Sequence, residues 1–120
     1  MGDFKSENFL LKPKSTGWEI SGVFDFTNSY FGDGLADLIK TIIMYIDNDE
    51  QDIARNLLSV YLKAAEQKEV LKQRIRVHML QQRVLDWGCA KAIDLVTWDD
   101  KQSFSNWVEY YTESAASLID

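Results

Sequence analysis

The pattern of apolar residues after Gly34 constrains the fold of this chain more than any other feature. Before Gly34, β-branched and aromatic residues are separated by turn residues; beyond it, apolar residues recur every three to four positions. The first such stripe consists of Leu35, Leu38, Ile39, Ile42 and Ile46. This spacing is typical of one face of an amphipathic α-helix, so most of the chain is predicted to be helical.

Three further helices are predicted after the first. An acidic stretch at residues 47–50 ends the first helix, and Asp49 is predicted to cap the second. A fourth helix is predicted to begin near Asp99 or Asp100. The apolar faces are Ile53, Leu57, Val60, Tyr61 and Ala64 in the second helix, Leu71, Ile75, Leu80, Val84 and Trp87 in the third, and Phe104, Trp107, Val108, Tyr111, Ala115, Leu118 and Ile119 in the fourth.

A β-hairpin is predicted before these helices. Residues 9–12 and 18–26 are rich in β-branched and aromatic types, and residues 13–17 form a polar turn that ends in Gly17. The predicted fold class is therefore α+β, mostly α, with one hairpin followed by about four helices that pack on one another and on the hairpin. At 120 residues we expect a single domain, with the hairpin part at 1–33 and the helical part at 34–120.

The charge balance argues against two classes of partner. The net charge is −6, which repels phosphate backbones and anionic lipids, so we expect neither nucleic-acid nor membrane binding. The basic residues from Lys68 to Arg76 are interpreted as a solvated face. The single cysteine, Cys89, lies in an apolar helical segment and is expected to be buried. The N-terminal segment lacks the pattern of a signal peptide, and we expect a cytoplasmic location.

Acidic and amide side chains stand at spacings suited to phosphoryl transfer. That reaction needs a group that orients the acceptor hydroxyl and takes its proton, and oxygen ligands that hold magnesium on the phosphates. In protein kinases the proton-accepting Asp precedes a metal-binding Asn by five residues, and a second metal-binding Asp, followed by Phe, comes after a hairpin. Here Asp3 and Asn8 are five residues apart, and Asp25 is followed by Phe26 at the end of the hairpin.

Two motifs resemble a known family. Gly2-Asp3-Phe4-Lys5-Ser6-Glu7-Asn8 resembles the Gly-Asp-four residues-Asn loop of the aminoglycoside phosphotransferase and choline kinase family. Gly22-Val23-Phe24-Asp25-Phe26, with Gly32-Asp33 and Asp37-Leu38, is similar to the family's metal-binding segment and the helix start that follows it. The resemblance is specific over about the first forty residues, and it implies part of a protein-kinase-like C-lobe.

The resemblance implies roles for the matched residues. Asp3 corresponds to the catalytic Asp, while Asn8 and Asp25 correspond to ligands of magnesium that bridges the phosphates of ATP. The phosphate acceptor is a hydroxyl group of a small molecule. We assign Asp33 and Asp37 structural roles, with Asp33 as a helix cap and Asp37 as a brace for the loop that carries Asp3.

Other residues are given structural interpretations. His78 is expected to have a packing or surface role, because no Cys or acidic residue stands near it at metal-ligand spacing. Trp87, Trp98 and Trp107 are interpreted as core or interface anchors. The acidic stretch Asp47, Asn48, Asp49, Glu50 and Asp52 stays open between a solvated helix junction, which we favour, and a surface that attracts an amine-bearing substrate.

The family also needs a strand-rich N-lobe with a phosphate loop and a Lys, and no such segment precedes the motifs. One hypothesis is that the chain is the C-terminal part of an ATP-dependent small-molecule phosphotransferase, inactive by itself. The alternative is a non-catalytic, kinase-like remnant that acts as an interaction module, self-associating as a homodimer through the surface that the missing lobe leaves uncovered.

Overall fold

The computed structural model describes residues 1–62, 67–99 and 101–120. A short 3-10 turn at Ser6–Asn8 leads into an antiparallel hairpin of strands β1 (Phe9–Lys14) and β2 (Gly17–Val23). Four α-helices follow, namely α1 (Leu35–Asp47), α2 (Gln51–Tyr61), α3 (Lys68–Ala92) and α4 (Phe104–Ser117). The predicted class, α+β and mostly α with one hairpin and four helices, is confirmed for the described residues.

Helix α1 forms the centre of the core. All five residues of its predicted stripe are buried, and Leu35 and Ile42 have no exposed surface. Helices α2, α3 and α4 pack against α1, and α3 also packs along α4. Removing these branched side chains from water supplies the main driving force for assembling the helices, at about 25 cal/mol per Å² of apolar surface.

The buried face of α2 differs from the predicted one. Ala54 and Leu58 are buried, whereas Ile53, Val60 and Tyr61 are close to half exposed or more. The apolar residues of this helix outnumber the positions that α1 can cover, so a second apolar strip faces outwards beside the buried one. Ala64 lies outside the described residues. Asp49 does not cap α2: the residue that precedes the helix is Glu50, which makes no side-chain capping bond, and Asp49 itself has a left-handed backbone with φ 57°.

The predicted face of α3 is correct only in its first half. Leu71 and Ile75 are buried, but further along the helix Met79 and Arg83 face the core. Leu80 and Val84, which were predicted to be buried, are 43% and 50% exposed. A straight α-helix of 25 residues keeps one face towards its neighbours, and continuing from Leu71 and Ile75 in steps of four reaches positions 79 and 83.

Arg83 can lie in the core because two aromatic rings and an acidic side chain contact its guanidinium. Its guanidinium lies 4.9 Å from the ring centroid of Trp107 and 4.5 Å from that of Tyr111, and it forms an ion pair with Asp86. Such stacking on aromatic faces stabilises a desolvated guanidinium. Trp87 stacks on Trp98 with the ring centroids 4.2 Å apart, and Trp107 joins the same cluster. The prediction that the three tryptophans are anchors is therefore confirmed.

Helix α4 begins later than predicted. It starts at Phe104 after Ser103, whose hydroxyl accepts a hydrogen bond from the backbone N–H of Asn106 at 3.2 Å. Asp99 lies outside the helix, and Asp100 lies outside the described residues. A serine directly before the helix, whose hydroxyl accepts from the N–H three residues later, favours this later start. The predicted apolar face is confirmed, although Leu118 and Ile119 follow the helix end and are buried there.

The hairpin projects from the helices instead of packing under them. Its strands pair out to Lys14 and Gly17, so the turn is shorter than predicted, and β2 ends at Val23, not at Phe26. Within the described part of the chain, the core contains no residue of either strand. The prediction that the helices pack on the hairpin is therefore wrong.

Two further properties concern the surface. Cys89, which was expected to be buried, is exposed on α3 because its position lies off the buried face of that helix. None of the helices among the described residues combines the length with the apolar character that crossing a bilayer requires.

Candidate active site

The loop that precedes the hairpin holds Asp3 in a largely enclosed position. Asp3 is 8% exposed and Asn8 is 4% exposed. The side-chain amide of Asn8 donates to the backbone oxygen of Asp3 at 2.8 Å and to its Oδ2 at 3.3 Å. The 3-10 turn at Ser6–Asn8 closes the loop, with the N–H of Asn8 bonded to the oxygen of Lys5 at 3.0 Å. The two residues that the sequence predicted as partners are therefore in direct contact.

Two lysines face the Asp3 carboxylate. Lys40 Nζ lies 2.8 Å from Oδ1, and Lys5 Nζ lies 3.0 Å from Oδ2. The hydrogen bond from Lys40, followed by that from Lys5, lowers the pKa of Asp3 to about 2, against the opposing effect of burial. Asp3 is consequently ionised at neutral pH, and its oxygens are held in a fixed direction.

Helix α1 braces this loop from below. Asp37 Oδ1 accepts from the backbone nitrogen of Gly2 at 2.6 Å, and its Oδ2 accepts from the nitrogen of Met1 at 2.9 Å. One turn further along α1, the Thr41 hydroxyl donates to the backbone oxygen of Phe4 at 2.5 Å. The bracing role predicted for Asp37 is confirmed.

Lys40 belongs to the same face of α1, and sequence reasoning missed it. Positions 37, 40 and 41 stand at i, i+3 and i+4, so they share one face of a helix. Once Asp37 was expected to reach the loop, Lys40 and Thr41 could have been predicted to reach it as well.

Asp25 lies at the same end of the hairpin as Asn8. The N–H of Phe24 donates to the backbone oxygen of Asn8 at 3.1 Å, which places the residue before Asp25 beside Asn8. Asp25 is exposed, its backbone is left-handed with φ 63°, and its Oδ1 accepts from the Thr27 hydroxyl at 2.8 Å. Asp is one of the few non-glycine residues that adopt this conformation readily, and Asp49 and Asp94 also adopt it.

The oxygen atoms at this end of the hairpin suit magnesium. The side-chain nitrogen of Asn8 is turned towards Asp3, so its Oδ1 is the atom left for a cation, and Asp25 contributes a carboxylate. In the described part of the chain, no group of three or more His, Cys, Asp or Glu residues could hold a metal ion. One amide and one carboxylate match the way in which Mg²⁺ is bound when phosphates and water complete its shell.

Asp33 connects the segment after the hairpin to α3. Its Oδ1 accepts from the backbone N–H of Leu35 at 3.0 Å, so it bonds an N–H at the helix start as predicted, although Gly34 is the residue that directly precedes α1. Arg74 donates to both carboxylate oxygens, from Nε at 3.0 Å and from Nη2 at 2.5 Å, and His78 Nε2 lies 2.7 Å from Oδ2. The hydrogen bonding from Arg74 is the main reason that the pKa of Asp33 lies far below its ordinary range.

His78 therefore has a structural role, as predicted, but with a partner that the sequence did not reveal. The histidine and Asp33 are 45 residues apart, so no local spacing could have paired them. His78 also borders a cleft of about 430 Å³ between the braced loop and α3. Gly2 of the loop and Asp37 and Lys40 of α1 line the opposite side of this cleft. Asp3 does not line it, but Lys40 contacts both the cleft and the Asp3 carboxylate.

The acidic stretch at 47–52 contributes nothing to the cleft. The residues that line the cleft in the described part of the chain include none of its members. Asp47 instead accepts a hydrogen bond from the Tyr111 hydroxyl at 2.7 Å, and Asp52 pairs with Arg55 at 3.0 Å. The favoured interpretation, a solvated helix junction, agrees with these contacts.

The comparisons with known proteins identify one family. The model of the phosphotransferase enzyme family matches residues 2–74, which include the braced loop, the hairpin, α1 and α2. No curated protein and no solved structure matched the chain.

Proposed function

Since this chain belongs to the phosphotransferase enzyme family, we propose that it supplies the catalytic and metal-binding part of an ATP-dependent phosphotransferase that acts on a small molecule. Asp3 is the catalytic residue, and Asn8 and Asp25 bind magnesium on the phosphates of ATP. The observation that carries this proposal is the enclosure of the Asp3 carboxylate between Asn8, Lys5 and Lys40.

Asp3 positions the acceptor hydroxyl. A carboxylate offers about four lone-pair directions, so Oδ1 can accept from a hydroxyl while it keeps its bond to Lys40. A pKa of about 2 makes Asp3 a weak base, which suits a loose transition state in which the acceptor proton moves late. Asp3 receives that proton as the hydroxyl oxygen bonds to the γ-phosphorus and the bond to the β-phosphate oxygen breaks, which releases ADP.

The other residues hold this geometry. Asn8 orients Asp3 through its side-chain nitrogen, which leaves its Oδ1 as the atom for the metal. Bound magnesium supplies charge neutralisation on the transferring phosphoryl group. Lys5 and Lys40 keep Asp3 ionised, and Asp37 fixes the loop against α1, so that little reorganisation is needed when the acceptor arrives.

We propose that residues 1–120 do not catalyse the transfer by themselves. Besides the metal ligands, this class of enzyme positions the nucleotide for transfer with a strand-rich lobe, which has a loop over the phosphates and a Lys that contacts them. Among the described residues the only sheet is the two-stranded hairpin.

The metal part of this proposal is tested by thermal unfolding. Magnesium with ATP should raise the melting temperature of the chain. At a ligand concentration of one hundred times the dissociation constant, binding adds about 2.7 kcal/mol to the free energy of unfolding. Asp25→Ala should abolish the increase, whereas the control Asp52→Ala, on an exposed helix position, should retain it. An equal increase in both variants, or none in the parent protein, would refute the metal site.

A second function is supported by one specific observation, the uncovered face of the hairpin. Leu11 and Ile20 are cross-strand partners and are 58% and 56% exposed, and Trp18 beside them is 73% exposed. An isolated two-stranded hairpin is marginally stable unless its apolar face is covered. As an interaction module, the chain would cover this face with a second copy of itself. Sedimentation velocity would then show a dimer that Trp18→Ser dissociates, while a monomer at all concentrations would eliminate this function.

A further inference from the structure

Helix α3 has a second apolar face besides the one that it buries. The buried face includes Ile75 and Met79, and α3 packs against α1 and α4. Each residue turns an α-helix by about 100°, so Val77 and Val84 stand roughly 160–180° around the helix from Ile75. The outer face of α3 consists of four apolar residues that are 43–61% exposed, namely Val70, Val77, Leu80 and Val84.

The spacing of this outer face is that of a two-stranded coiled coil. Val70, Val77 and Val84 follow one another at intervals of seven residues, and Leu80 stands three residues after Val77. These are the a and d positions of a heptad, and Val at a with Leu at d favours a parallel pair of helices. The buried face of α3 already fixes the helix to its own domain, so the outer face is suited to a helix from outside that domain.

A second copy of α3 matches this face in length and in pattern. From Val70 to Val84 the outer face extends about 21 Å along the helix. Helix α3 has 25 residues, whereas the other described α-helices have 11–14. If two copies of α3 pair in parallel, each apolar residue meets its own counterpart across a two-fold axis, which is the arrangement of most homodimers.

The charges on either side of the outer face permit this pairing. Arg74 borders one side and pairs with Asp33 of the same chain. Arg76 borders the other side and pairs with Glu113 of α4 at 2.9 Å. Because both guanidinium groups are neutralised within each copy, two outer faces can approach without opposing uncompensated positive charges.

We infer that the outer face of α3 binds the α3 of a second copy in parallel, which makes the chain a weak homodimer. The four side chains expose roughly 300 Å² of apolar surface per copy, which is at the small end for a protein interface. We therefore expect a dissociation constant of roughly 10–100 µM. The inference goes beyond the proposed phosphotransfer and uses a different surface from the hairpin.

Sedimentation velocity of the Trp18→Ser chain tests this inference. That substitution removes pairing through the hairpin, so a dimer that remains uses another face. We expect a monomer at about 1 µM and a dimer at about 1 mM. Val77→Asp, added to this chain, places two carboxylates opposite each other and should raise the dissociation constant at least about a hundredfold.

Leu85→Asp is the matched control. Leu85 is 56% exposed on the same helix but lines the cleft, outside the outer face, so the dissociation constant should stay the same. Both positions are exposed, and circular dichroism should show unchanged helix content in both variants. A monomer at about 1 mM would overturn the dimer, and equal effects of the two substitutions would overturn the choice of face.

Oxidative cross-linking tests the parallel arrangement. In a parallel pair the two copies of residue 77 face each other, so Val77→Cys combined with Cys89→Ser should form a disulfide-linked dimer. The parent chain is the control, because its Cys89 is exposed on α3 but lies outside the outer face. Cross-linking through Cys89 that equals that through Cys at position 77 would overturn the arrangement.

Discussion

The contact between Asp33 and α3 provides a quantitative test of how the loop region is fixed to the helices. Asp33→Asn keeps the size of the side chain and an oxygen that can accept from the N–H of Leu35. It removes the charge and places an NH₂ group where Oδ2 now faces Arg74 and His78, at 3.0 and 2.7 Å. The Nε–H of Arg74 then faces another donor, so this hydrogen bond is lost. The bonds of Asp33 with Arg74 Nη2 and with His78 lose their charged partner, because the neutral His78 ring can accept from the new NH₂ group.

The cost follows from the number and exposure of those bonds. A hydrogen bond to a charged group contributes about 1.5–3 kcal/mol. Asp33 and Arg74 are a quarter to a third exposed, at 25% and 32% of their side chains, so the lower value applies. One bond of about 1.5 kcal/mol is lost, and two others fall to about half that value when Asp33 loses its charge, which gives a total loss of about 3 kcal/mol. This is a large part of the about 5–15 kcal/mol that stabilises a typical domain.

Urea unfolding at pH 7, followed by circular dichroism, measures this loss. Asp52→Asn is the matched control, since Asp52 is 95% exposed and its pairing with Arg55 should contribute less than about 1 kcal/mol. If Asp33→Asn destabilises the chain no more than Asp52→Asn does, then Asp33 does not anchor the loop region to α3.

The pH dependence gives an independent check. Because the pKa of Asp33 is lower in the folded chain than its ordinary value of 3.8, the unfolded chain binds the proton more readily. The stabilisation from Asp33 is therefore present above that value and is lost as the pH falls below it. Asp33→Asn should remove this part of the acid sensitivity, and an unchanged acid dependence would contradict the assignment.

Two further pairs of variants test the core and the loop. Met79→Ala should cost about 2–5 kcal/mol in urea unfolding, whereas Leu80→Ala should cost less than about 1 kcal/mol, because only Met79 is fully buried; equal costs would contradict the described face of α3. Gly88→Ala should stabilise α3 by about 0.5–1 kcal/mol, since nothing lies near its added methyl group. Gly2→Ala should instead destabilise the chain, because its Cβ would stand 2.1 Å from the Asn28 backbone oxygen; a neutral effect would contradict that contact.

Part of this structure follows from local sequence patterns. The stripe from Leu35 to Ile46 identifies α1 and its buried face, because each residue at that spacing meets the same neighbours. The five-residue spacing of Asp3 and Asn8 likewise corresponds to a direct hydrogen bond across one turn. Both features depend on residues that are close in the chain, so a local sequence pattern can predict them.

The remainder depends on partners that are distant in sequence. The buried face of α3 includes Arg83, which is stable there only because Trp107 and Tyr111 stack on its guanidinium. A hydrophobic pattern instead favours Val84 for that face. The β-branched and aromatic residues of the hairpin predicted its strands but not their surroundings, since the helices do not pack on them as expected. His78 bonds to Asp33, which belongs to another element.

The central claim, that Asn8 and Asp25 bind the metal on ATP beside Asp3, is tested most directly by paramagnetic relaxation. Mn²⁺ replaces Mg²⁺ with the same preference for oxygen ligands and broadens the NMR signals of nearby residues. With ATP present, we predict the strongest broadening at Asn8 and Asp25 and its loss in Asp25→Asn. Broadening centred on the acidic stretch at 47–52, unchanged in that variant, would contradict the claim.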